Sequence, residues 1–191
     1  YDTLTKEYIK GKIERKFIPV YPDEDAKYTE KYTINLDDLE PYVALPGTIN
    51  SSIPVSKIES KKIKIRQAFI GSCTNGRVED FEIASKILKG KKINPNVRLI
   101  ITPASQDIWK ECLKKGIWEI LVDAGAIITN PTCGACGGVH LGLMGDEEVC
   151  ISTTNRNMCG RMGSKKSYIY LANAATVASS ALYGYIKSPL N

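Results

Sequence analysis

Ile65-Arg66-Gln67-Ala68-Phe69-Ile70 runs into Gly71-Ser72-Cys73-Thr74-Asn75-Gly76, and the stretch Val78 to Leu88 follows. The first six residues are mostly apolar with isoleucine at both ends, the pattern of a short buried strand. The glycine-bounded stretch breaks it. From there Val78, Phe81, Ala84, Ile87 and Leu88 recur at helical spacing. Glu79 and Asp80 fall in the first turn, where acidic side chains complement the helix dipole. A strand that enters a tight cysteine-bearing turn and leaves as a helix is half of a βαβ unit.

The same grammar continues downstream. Val97 to Ile101 reads as a second strand, closed by Thr102-Pro103, and Ser105 is placed to cap a helix through Leu113. A further helix, Ile117 to Val122, ends at Gly125. Ala126 to Thr129 is a third strand running into Asn130-Pro131, and Glu148 to Ser152 is a fourth, leading into Thr154-Asn155-Arg156-Asn157. An Ala-rich helix is expected over about Tyr168 to Tyr185. Alternation of strands and helices predicts an α/β fold, a doubly wound α/β/α sandwich with a mostly parallel sheet. Residues 1–60 differ. With Pro19, Pro22, Pro41, Pro46 and Pro54 they read as an irregular lead-in segment with short edge strands, Tyr32–Leu36 among them, before an α/β domain over 61–191. The chain opens at Tyr1 rather than Met, which leads us to expect a piece of a longer polypeptide.

Composition narrows the function classes. The 191 residues are 43% hydrophobic and 25% charged, enough to bury a core and far from a disordered or collagen-like chain. No apolar run approaches the ~20 residues of a membrane-spanning helix. The net charge is +5, but the nearest thing to a basic patch, Lys61, Lys62 and Lys64, has no interleaved aromatics, so neither nucleic acid nor membrane is expected as a partner. Six cysteines without a secretory signal argue for a metal or redox site in a reducing, cytoplasmic compartment rather than a disulfide framework.

In a parallel sheet the loops after the strand C-termini gather on one edge, where ligands bind. Cys73 follows the first strand, Cys133 and Cys136 follow the third, and Arg156 follows the fourth, so all four are expected to face one crevice. A CxxC pair serves a redox disulfide, half a zinc site or an iron–sulfur cluster. The glycines of Cys133-Gly134-Ala135-Cys136-Gly137-Gly138 favour wrapping backbone around a bulky inorganic group. Zinc needs a fourth ligand, for which His140, Cys150 and Cys159 are the candidates; Cys112 and Cys150 lie mid-element and read as packing residues. Three cysteines on an iron–sulfur cube leave one iron open to substrate oxygens. Arg156 and Arg161, five residues apart, have the planar fork that holds a carboxylate.

Three motifs carry a resemblance: Ile70-Gly71-Ser72-Cys73-Thr74-Asn75-Gly76-Arg77, Asn130-Pro131-Thr132-Cys133-Gly134-Ala135-Cys136-Gly137-Gly138, and Ser152-Thr153-Thr154-Asn155-Arg156-Asn157. In this order they resemble the aconitase superfamily, and within it the branch of the isopropylmalate dehydratase and homoaconitase large subunits, over roughly Pro22 to Ile186. The resemblance implies a cluster-bearing third domain. Cys73, Cys133 and Cys136 would ligate a [4Fe-4S] cluster, Asn75 and Asn155 would hydrogen-bond beside it, and Arg156 and Arg161 would bind the substrate's carboxylates. The implied hydro-lyase reaction isomerises 2-isopropylmalate and 3-isopropylmalate, a step of leucine biosynthesis, by dehydration and rehydration; homoaconitate is the alternative hydroxy-dicarboxylate substrate. The implied partner is a small subunit with a swivelling domain, which supplies a serine base, while an Asp–His acid system lies in other large-subunit domains. No catalytic residue is therefore assigned within these 191 residues. Gly137, Met158 and Cys159 stand where relatives of that superfamily usually carry a bulky apolar residue, Phe and a non-cysteine. A zinc or redox α/β domain, or a partner-binding domain with core cysteines, is the reading from the residues alone that competes with the cluster.

Overall fold

A computed structural model describes residues 1–48 and 50–189; Ile49, Leu190 and Asn191 lie outside the described residues. The chain forms two compact units, Tyr1–Leu39 and Glu40–Asn191. In the first, helix α1 (Thr3–Ile9) starts at Asp2, whose carboxylate accepts the Thr5 N–H at 2.7 Å. A 3₁₀ turn over Leu36–Asp38 starts at Asn35, whose side-chain oxygen accepts the Asp37 N–H at 3.2 Å. That cap explains why the strand expected over Tyr32–Leu36 does not form: Asn35 turns the chain, and no strand among the described residues pairs with it.

The second unit, from Glu40 on, includes β1 (Tyr42–Ala44) and β2 (Ser52–Pro54), which form one edge of the main sheet. Helix α2 (Ser56–Glu59) follows. Then come β3 (Gln67–Gly71), α3 (Ser72–Asn75), α4 (Val78–Leu88), β4 (Arg98–Thr102), α5 (Gln106–Lys114), α6 (Ile117–Ala124), β5 (Ile127–Ile128), β6 (Val149–Ser152), β7 (Tyr168–Ala172) and α7 (Ala174–Tyr183). Ser105 caps α5 as expected, its hydroxyl accepting the Ile108 N–H at 3.3 Å. The long C-terminal helix is a correction. Tyr168 to Ala172 pairs in parallel with β6, Val149 opposite Tyr168, and only after Asn173 caps the chain does helix begin. Alternating Tyr-Ile-Tyr-Leu suits a pleated surface better than a helix once a partner strand is present.

The sheet runs β2-β1-β7-β6-β3-β4-β5, parallel from β7 to β5 and antiparallel at β1 and β2. Side chains alternate between two cores, as the period of two requires. Ala68, Ile70, Leu99, Ile101 and Ile151 face the larger one, built with Phe81, Leu88, Trp118, Leu121 and Val177 from α4, α6 and α7. Phe69, Ile100, Cys150 and Ile169 face the smaller, closed by Ala135, Cys136, Met144 and Met162 from irregular chain. So α4 to α7 contribute to the larger core, and glycine-rich loops close the other face. Chain order also sets the site. From β3 the path moves to β4 and β5 on one side, while β6 and β7 lie on the other, so the loops after β3 and β6 part at a topological switch point.

Candidate metal centre

The turn after β3 is strained. Gly71 has φ +137°, and a Cβ there would stand 2.0 Å from the Thr102 carbonyl oxygen. Ser72 follows at φ +68°, rare for a residue with a side chain. Its hydroxyl is buried and has no hydrogen-bond partner. The result is an exposed Cys73 at the start of α3, with its carbonyl accepting from the Arg77 guanidinium at 3.1 Å. Strain of this kind clusters at functional sites. Thr153, just past β6, holds the turn from the other side of the switch point. Its hydroxyl accepts the Gly71 N–H at 2.9 Å, and its carbonyl accepts the Asn75 side-chain amide. Asp80 accepts the Arg77 N–H at 3.0 Å, and half-burial raises its carboxyl above the ordinary range.

The second cysteine loop meets the first at Thr102. A Cβ on Gly134 would lie 3.7 Å from the Thr102 hydroxyl, which itself pairs with the Thr129 hydroxyl at 2.9 Å. Cys133 is exposed at the head of a 3₁₀ turn over Gly134–Gly137; Cys136 is buried in the smaller core. Gly138, at φ +66°, rests against Arg161: a Cβ would stand 2.8 Å from the Arg161 carbonyl oxygen. The loop after β6 thus closes a ring of contacts around the strand ends. Asn155 and Arg156 are exposed on it. Neither Arg156 nor Arg161 has a carboxylate partner among the described residues, and the Arg161 Nε is buried without any partner.

The remaining candidates separate cleanly. Cys112 and Cys150 are fully buried, and burial pushes both thiols up to about 12, so they are packing residues as expected. His140 shares a 2.9 Å hydrogen bond with the Thr132 hydroxyl on the surface. Cys159 is exposed near the β1–β2 turn, where a Cβ on Gly47 would lie 4.0 Å from its sulfur. Among the described residues no three His, Cys, Asp or Glu side chains converge as a single metal ion requires. A polynuclear cluster makes a different demand, since its thiolates bind different irons. Free thiols on two loops that share Thr102, a glycine-rich wrap, and two buried polar atoms without partners fit such a group. Thr102, Thr153 and Ser72 were not among the sequence candidates; a threonine at or just past a strand end carries no signal until the sheet order is known.

The sequence model of the aconitase family (aconitate hydratase) matches residues 4–184. The chain belongs to the aconitase family. It is 50% identical to the 3-isopropylmalate dehydratase large subunit of Aliarcobacter butzleri, over 99% of this chain and 46% of that protein. The large subunits of that name from Thermoanaerobacter sp. and Sulfurimonas denitrificans are 48% and 49% identical, each over 99% of this chain and 45% of their own length. The chain therefore spans about half the length of the curated relatives it matches. Aconitase family members generally bind a [4Fe-4S] cluster. Among the described residues no helix is long and apolar enough to cross a membrane.

Proposed function

We propose that this chain is the cluster-bearing portion of a hydro-lyase that interconverts 2-isopropylmalate and 3-isopropylmalate by dehydration and rehydration, as part of a large subunit working with a small-subunit partner. The observation that carries the reading is the pair of cysteine loops meeting at Thr102 beside two arginines with no carboxylate partner among the described residues. The names of the relatives at about half identity favour isopropylmalate over homoaconitate. Six free thiols suit a reducing cytoplasm.

Cys73, Cys133 and Cys136 hold the cluster. When bound, it supplies an open iron that acts as a Lewis acid toward the substrate's hydroxyl. Arg156 and Arg161 hold the substrate's carboxylates; neither has an ion-pair partner among the described residues. Asn75, tied to the Thr153 carbonyl, and Asn155, exposed on the neighbouring loop, would hydrogen-bond beside the cluster. The proton on the adjacent carbon is handled by groups outside this chain, so these 191 residues bind the cluster without turning over substrate.

The test is anaerobic reconstitution with iron and sulfide, followed by iron, acid-labile sulfide and zinc analysis per chain. The expected result is about four iron and four sulfide, lost in Cys73→Ser. One zinc without sulfide overturns the reading.

A further inference from the structure

β1 and β7 pair antiparallel with Ala44 directly opposite Leu171. Opposed residues in such a ladder share one face of the sheet. Leu171 packs against the smaller core, so Ala44 and Leu171 make one patch of floor on the loop-covered face. Over that floor passes the segment that follows β6. Asn157, only 5% exposed, straps it down: its side-chain amide donates to the carbonyls of Leu45 and Thr48, the latter at 3.2 Å, and its own carbonyl accepts the Gly47 N–H at 3.0 Å. Because Ala44 carries a single methyl, the strapped segment does not close onto the floor. A cavity of about 260 Å³ remains, lined by Ala44, Leu171, Met158 and Asn155 to Asn157. A second cavity of about 360 Å³ shares Ala44 and Leu171 as walls and reaches Asn75 on the Cys73 loop.

An apolar floor, a thioether wall and an exposed guanidinium thus share one recess next to the cysteine edge. The geometry points to a specificity site: the branched alkyl group of a hydroxy-dicarboxylate rests on Ala44, Leu171 and Met158 while a carboxylate of the same molecule is held by Arg156. This rests on the hydro-lyase reading above and adds the residues of this chain that distinguish an alkyl-bearing substrate. Removing three alkyl carbons from water is worth about one to two orders of magnitude in affinity. A third carboxylate placed there would lose its hydration against apolar walls, which disfavours tricarboxylates.

The methionines make the test specific, since Met158 is 47% exposed while Met144 and Met162 are buried at 4% and 0%. The full chain, labelled with [¹³C-methyl]methionine and reconstituted without oxygen, is titrated with 2-isopropylmalate and with malate, which lacks the alkyl branch. We expect 2-isopropylmalate to move the Met158 methyl resonance saturably, about tenfold more tightly than malate, leaving Met144 in place. Ala44→Leu fills the recess and removes the preference; Ala44→Val, which suits the strand, narrows it. An unmoved Met144 signal confirms that each variant is folded. Equal responses to the two ligands, no Met158 response to 2-isopropylmalate, or an unchanged preference in folded Ala44→Leu overturns the proposal. Iron and sulfide content of the same sample separates the two inferences: a full cluster without alkyl preference sinks the recess alone, and no cluster sinks the hydro-lyase reading and the recess with it.

Discussion

Replacing Gly71 by alanine tests how the sheet holds the turn that carries Cys73. A Cβ at Gly71 would stand 2.0 Å from the Thr102 carbonyl oxygen, and 2.8 and 2.9 Å from its carbonyl carbon and nitrogen. All three are backbone atoms of β4, in register with Gly71, so no flexible side chain can rotate out of the way. The strands must part by about 1 Å or more to restore ordinary contact. Overpacking of this kind costs about 1–3 kcal/mol. Backbone geometry adds to it, because φ +137° is open to glycine and costs a side-chain-bearing residue about 1–3 kcal/mol. The total is about 2–6 kcal/mol, a large share of the 5–15 kcal/mol typical of a domain, and it lowers Tm by about 10 °C. Urea unfolding followed by circular dichroism measures it, with the m-value checking that the transition stays cooperative. A loss under about 1 kcal/mol at unchanged m refutes the idea that the β3–β4 contact dictates the turn.

Ser72→Gly is expected to act in the opposite direction. It relieves a left-handed backbone worth about 1 kcal/mol and removes a buried hydroxyl whose unmet hydrogen bond costs about 1–3 kcal/mol, less about 0.5–1 kcal/mol for the looser unfolded chain. The cluster-free chain should gain about 1–3.5 kcal/mol in urea unfolding; a loss contradicts the strain assignment. A third expectation concerns pH. Glu59 and Lys187 form an ion pair, and the Ser188 N–H donates to Glu59 at 3.2 Å. The hydrogen bond from Lys187 holds Glu59 below its ordinary value of 4.5, and the same bond raises Lys187 above 10.5. The acid's contribution is full above 4.5 and lost as pH falls through its folded value; the base's is full below 10.5 and lost as pH climbs through its own. Tm against pH should therefore fall less steeply below pH 4.5 in Glu59→Gln than in the parent chain. Parallel curves rule the coupling out.

Much of the α/β unit was legible because its signals are local. The β3–turn–α4 passage announces itself in a few residues, through apolar runs, glycines and acidic first-turn residues, and Ser105 marks the start of α5 by side-chain chemistry alone. β7 was hidden because its strand state depends on β6, about twenty residues earlier, while its own composition runs into an alanine-rich helix. The lead-in strand over Tyr32–Leu36 failed for the converse reason: suitable residues without a partner strand stay unpaired.

The motifs and their order, Cys73, then Cys133 and Cys136, then Asn155 and Arg156, are properties of the sequence, and they suffice to assign the family because backbone turns and ligand chemistry demand those residue types at short range. The tertiary structure alone decided how the loops meet. Thr102 touches both cysteine loops, Thr153 ties the β3 turn to the β6 loop, and Ala44 faces Leu171 only because β1 reverses direction beside β7. Those juxtapositions arise from strand order and register, which are set by burying two different faces of one sheet at once. No window of sequence contains that condition.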